Sequence, residues 1–79
     1  MNFQGGVPMT RFVITDKVIT ITKTGAFFKK HVTTIPMRNV ASWEGTHGAV
    51  KIRTNDGKTH SLPDMHPDKV IAALEETIS

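Results

Sequence analysis

The chain has 79 residues, 38% of them hydrophobic and 22% charged, with ten Lys and Arg against seven Asp and Glu for a formal charge of +3. That length supports one core and a single domain, and the composition is that of a folding chain rather than a disordered one. There is no cysteine, which excludes a disulfide framework and a thiolate zinc site, and the mild positive charge lacks the dense basic stripe of a dedicated nucleic-acid binder.

Residues 1–9 contain Gly5, Gly6 and Pro8 without apolar periodicity. They read as an irregular N-terminal arm or edge segment, and residues 10–79 as the single domain. Arg11 to Lys23 is rich in β-branched and aromatic residues interrupted only by Asp16 and Lys17, which predicts a hairpin. With Asp16 and Lys17 as the turn, Ile14 lies opposite Ile19 and Phe12 opposite Ile21, and four large apolar side chains share one face.

After a break at Thr24, Gly25 and Ala26, a third strand is expected over Phe27 to Ile35, with Pro36 ending the pairing. Its basic and aromatic stretch Phe27-Phe28-Lys29-Lys30-His31 either packs one phenylalanine inward with the lysines on a solvated face, or meets phosphate groups of a lipid head or nucleic acid. A fourth, short strand follows over Val40 to Glu44. The spacing of Val40 and Trp43 breaks alternation and predicts a helical turn, bulge or bend near Arg38 to Ala41. Gly45 to Gly48 reads as a loop. Val50 to Thr54 and Lys58 to Leu62 then flank Asn55, Asp56 and Gly57. A three-residue loop with Gly57 in the left-handed region sets Val50 opposite Leu62 and Ile52 opposite His60, keeping apolar residues together.

Pro67 suits the first position of a helix and Asp68 its positive end. Val70, Ile71, Leu74 and Ile78 recur at helical spacing and give it one face to bury, with Met65 and Val70 spaced as a hydrophobic staple. The fold class expected is therefore α+β, mainly β: a bent antiparallel sheet or small partly open barrel of about five to seven strands with one C-terminal amphipathic helix.

The segments Phe12-Val13-Ile14-Thr15-Asp16-Lys17-Val18-Ile19, Ile35-Pro36-Met37-Arg38-Asn39-Val40, Val50-Lys51-Ile52-Arg53 and Val70-Ile71-Ala72-Ala73-Leu74 resemble a short bacterial pleckstrin-homology-like (PH-like) domain over roughly residues 11 to 79. In that family a Thr-Asp turn joins two early strands, an Ile-Pro segment leads into a bent strand, and a terminal helix plugs one end of the sheet. The full family domain has seven strands, whereas five or six are legible here. The N-terminal arm therefore either supplies an edge strand or leaves the sheet incomplete. The resemblance implies a scaffold for protein, peptide or lipid contacts rather than for catalysis.

No segment approaches the roughly 20 apolar residues that span a bilayer, and no signal-peptide pattern follows Met1; a cytoplasmic address is expected. His31, His47, His60 and His66 show no HxH or HxxxH spacing, so no metal is expected. Neither is a cofactor. Ser61 and His60 are strand neighbours that point to opposite faces, and the acidic residues fall mostly in turns, so no catalytic residue is assigned.

The candidate binding residues are Lys29, Lys30, Arg38, Trp43, Lys51 and Arg53. Lys51 and Arg53 share a strand face opposite Ser61 and Thr59, a basic, hydroxyl-rich patch suited to an acidic peptide. Alternation sends Lys29 and Lys30 to opposite faces, and Trp43 is either a buried indole or an interface anchor. A protein partner or a homo-oligomer, held through a sheet edge or the Lys51 and Arg53 face, is expected. The alternative is an anionic lipid or nucleic acid meeting Lys29, Lys30, Arg38, Lys51 and Arg53.

Overall fold

A computed structural model describes residues 2–78. Seven antiparallel strands form two meanders, β1(Phe3–Val7), β2(Thr10–Ile14), β3(Val18–Thr24) and β4(Lys30–Pro36) in one sheet and β5(Val40–Thr46), β6(Ala49–Thr54) and β7(Thr59–Pro63) in the other. One helix, α1(Pro67–Ile78), follows. The arrangement is α+β and mainly β, and the two sheets do not close into a barrel.

The hairpin register follows from which pairs are apolar. Phe3, Ile14, Ile19 and Ile35 form one row across the first sheet, and Gly5, Phe12, Ile21 and Thr33 the next. In the second sheet Val50 pairs with Leu62 and Ile52 with His60, as the three-residue turn with Gly57 at φ +85 requires. Phe12, Ile14, Ile19, Ile21, Ile35, Val50, Ile52 and Leu62 are all buried in one core. The helix adds Val70, Ala73 and Leu74. Burying Val70 and Leu74 stabilises the fold by about 2 kcal/mol each.

Of the two forms expected for residues 1–9, the edge segment is the one present: Phe3–Val7 is an edge strand paired with β2, and it brings the strand count to seven, within the five to seven expected. Several other expectations are corrected. The third predicted strand starts late, because Ala26–Phe28 forms a tight turn and pairing begins at Lys30. The Gly45 to Gly48 loop shrinks to a turn at His47 and Gly48, with Gly45 and Thr46 still in β5. The staple does not form: Met65 is exposed, as is Ile78 at the helix end. The helix entry is fixed instead by the Asp64 carboxylate, which accepts the His66 N–H at 2.8 Å.

Between the sheets the chain turns through Met37–Asn39 and then bulges between Val40 and Ser42, as the Val40–Trp43 spacing requires. The Asn55 N–H donates to the Asn39 carbonyl at 2.8 Å and its side-chain amide to the Arg38 carbonyl at 3.2 Å. The β6–β7 turn thereby clamps the link between the two sheets.

Candidate functional site

Lys51 and Arg53 lie on the outer, solvent-facing side of β6, with Ser61 and Thr59 opposite them on β7. On the other flank β5 sets Glu44 opposite Lys51 and Ser42 opposite Arg53. Ser42, Glu44, Lys51, Arg53 and Thr59 line an open hollow of about 230 Å³ together with Trp43. The Glu44 carboxylate within this patch makes it a mixed-charge surface rather than a cationic clamp. Such a surface suits alternating charges on a peptide better than a run of phosphates.

Trp43 belongs to the wall of that hollow, but its ring turns the other way. It pairs with Ile52, is half-buried, and packs against the core.

The remaining candidates are scattered. Lys30 opens β4 opposite Thr24, and Lys29 sits in the preceding turn rather than in the strand, so strand alternation does not set its direction. Arg38 lies beyond the far end of β4. A seven-residue strand is about 20 Å long, so Arg38 and Lys30 cannot grip one small headgroup. Phe27 and Phe28, of which one was expected to pack inward, are 91% and 85% exposed. The reason is backbone: both hold φ near +60, which carries the chain past the end of the apolar rows.

The feature with the most recognition potential is the free edge of β4. Lys30, His31, Val32, Thr33 and Thr34 are all exposed, and Val32 is 62% accessible. The Gly25 N–H donates to the Lys29 carbonyl at 2.7 Å and the Met37 N–H to the Lys17 carbonyl at 2.8 Å. These two bonds fix the phase of the β3–β4 ladder. Residues 31, 33 and 35 exchange backbone hydrogen bonds with β3, and the backbone groups of Lys30, Val32 and Thr34 point outward. Among the described residues no strand pairs with that side. Sequence alone did not find this edge, because which strand is outermost depends on the order within the sheet.

Where the β4 edge nears the second sheet, Thr33 to Pro36 face Thr54, Asp56, Lys58 and His60 across a hollow of about 190 Å³. The β6–β7 turn bordering it is knit by Asp56, whose Oδ1 accepts the Thr54 hydroxyl and, at 3.2 Å, the Lys58 N–H. The Thr54 hydroxyl, then the Lys58 backbone N–H, hold the Asp56 carboxyl below its ordinary value.

Among the described residues no three His, Asp or Glu side chains come together as a metal site, and no helix is long and apolar enough to cross a membrane. The chain matches no family model, no curated protein and no solved structure.

Proposed function

We infer that the chain is a non-enzymatic, cytoplasmic interaction module of PH-like architecture that binds a protein partner or a second copy of itself by strand addition to β4. The observation that carries this reading is the outward row of backbone groups at Lys30, Val32 and Thr34 on an exposed strand. Such an edge is a template for another strand. Lys30 and Pro36 at its two ends are the usual devices that limit edge pairing, and between them Val32, Thr33 and Thr34 are strong strand formers. An added strand would run beside the hollow between β4 and the β6–β7 turn, where Lys58, His60 and Asp56 offer side-chain contacts.

The phosphate-binding alternative is less well supported, because Lys29 and Lys30, Arg38, and the Lys51–Arg53 pair occupy three separate places.

Light scattering over a concentration series, at low and at high salt, tests the reading together with Val32→Pro. That substitution removes an outward N–H and leaves the β3 ladder intact. Association that persists at high salt and disappears in Val32→Pro is the expected result. A chain that is monomeric throughout leaves a foreign partner as the occupant. In that case Val32→Pro must abolish its capture, and retained capture rejects the β4 edge.

A further inference from the structure

The outward backbone row of β4 is bounded at both ends. Upstream, Ala26–Phe28 forms a tight turn and pairing begins at Lys30; downstream, Pro36 has no N–H to offer. Between these stops the outward groups belong to Lys30, Val32 and Thr34, with Val32 at the centre. A row of this form is complementary to itself about a two-fold axis, the symmetry of an isologous interface.

One antiparallel register between two copies uses the whole row. Centred on Val32, it sets Lys30 opposite Thr34, His31 opposite Thr33 and Val32 opposite its own counterpart, so every outward residue exchanges both backbone bonds. Centring on Thr33 instead sets Lys30 against Pro36, which cannot donate. Centring on His31 sets Thr34 against Phe28, whose φ of +60 is not that of a strand. The Val32 register also keeps each basic residue away from its counterpart, and like charges directly opposite destabilise a sheet.

The same register accounts for the apolar exposure. Among the described residues Phe27, Phe28 and Val32 are exposed large apolar side chains, and they lie on β4 or in the turn that leads into it. Pairing about Val32 sets the two valines side by side and carries the Phe27–Phe28 turn of each copy alongside Pro36 and Met37 of the other. Met37 already packs against the core, so the phenylalanines would extend an apolar surface that exists. Both hold φ +60, a conformation that side chains avoid. Strained residues of this kind gather at contact-making segments.

We propose that the strand β4 receives is β4 of a second copy, antiparallel and centred on Val32, with the Phe27–Phe28 turn of each chain covering the far end of the other's strand. This rests on the reading of β4 as a strand-accepting edge and names its occupant. The first sheets of the two copies then join into one continuous sheet.

The chain has no cysteine, so a single introduced thiol reads the register. In a hydrogen-bonded pair the two Cα atoms stand about 5.5 Å apart, within the span of a disulfide. Val32→Cys should therefore link to its own copy on oxidation with copper phenanthroline, at concentrations where light scattering shows a dimer. Thr34→Cys, about 13 Å along the strand from its counterpart, should stay unlinked. Phe27→Gly/Phe28→Gly should raise the dimer dissociation constant at least about tenfold, from the loss of apolar burial. Glycine suits the positive φ, so this variant keeps the fold of the single chain, which circular dichroism verifies. Faster linking through His31→Cys or Thr33→Cys overturns the register and leaves strand addition standing. A glycine variant that dimerises as well as wild type overturns the role given to the turn. Wild type that stays monomeric overturns the second copy as occupant, and capture of a foreign partner blocked by Val32→Pro would then still support the edge. A dimer that persists in Val32→Pro rejects both the proposal and the edge.

Discussion

Asp64 joins the two ends of the fold: its Oδ2 accepts the Gly6 N–H at 3.1 Å across 58 residues of chain, and its Oδ1 accepts the His66 N–H at 2.8 Å. One carboxylate thus pins the edge strand β1 and caps the approach to α1. Asp64→Ala removes both acceptors and should cost about 1–2 kcal/mol, lowering the thermal midpoint by about 5–10 °C for a domain of this size. Asp64→Asn, with one carbonyl oxygen left, should fall between. Thermal unfolding followed by circular dichroism distinguishes the three chains.

Gly5 lies under the Phe12 ring and beside the same carboxylate. A methyl group there would come within 2.8 Å of Phe12 Cζ. Gly5→Ala should destabilise by about 2 kcal/mol, the usual scale of overpacking. Gly25→Ala is the control, because its methyl would find only the Lys29 carbonyl oxygen at 3.7 Å. Chemical denaturation should show a lower midpoint for the first and little change for the second.

Phe27→Gly should stabilise the fold, although it removes a large apolar side chain. The ring is 91% exposed and contributes almost no burial, while its backbone is left-handed at φ +60. Releasing that conformation is worth about 1 kcal/mol. A lowered or unchanged denaturation midpoint would show that the ring is held by contacts elsewhere.

Asp56 links stability to pH. Its carboxyl is held below the ordinary value, first by the Thr54 hydroxyl and then by the Lys58 backbone N–H. The folded state therefore binds its proton less readily than the unfolded chain. The stabilisation is fully present above the unfolded pKa of about 4 and is lost as pH falls through the lower folded value. Asp56→Asn should remove this dependence, so the gap in melting temperature between the two chains should shrink from pH 5 towards pH 2. Because the group is exposed, the gap will be small.

The hairpins were legible in the sequence because a short turn flanked by apolar residues permits one register that buries them together. Ile14 opposite Ile19, and Val50 opposite Leu62, follow from that constraint. The same register placed Lys51 and Arg53 beside Ser61 and Thr59. Glu44 and Ser42 were not legible as their neighbours, since the bulge between Val40 and Ser42 decides which β5 residues meet them. β1 was ambiguous because Gly5 and Gly6 carry no side chains to show a period, and the strand owes its form to β2. Phe27 and Phe28 misled for another reason. Hydrophobicity argues for burial, and nothing local announces that the left-handed positions fall on Phe27 and Phe28 rather than on Gly25.

Every strand in both sheets pairs with a neighbour in sequence. Loop closure is therefore inexpensive at each step, and the hairpins can zip locally, which favours rapid folding for a mainly β chain. The Asp64–Gly6 bond is the exception, closing the longest loop among these side-chain contacts. A contact made only after the rate-limiting barrier, when weakened, hastens unfolding in a chevron experiment and leaves the folding limb nearly unchanged, and that is the pattern expected for Asp64→Ala. The lifetime of the native state, more than the speed of reaching it, then depends on one carboxylate.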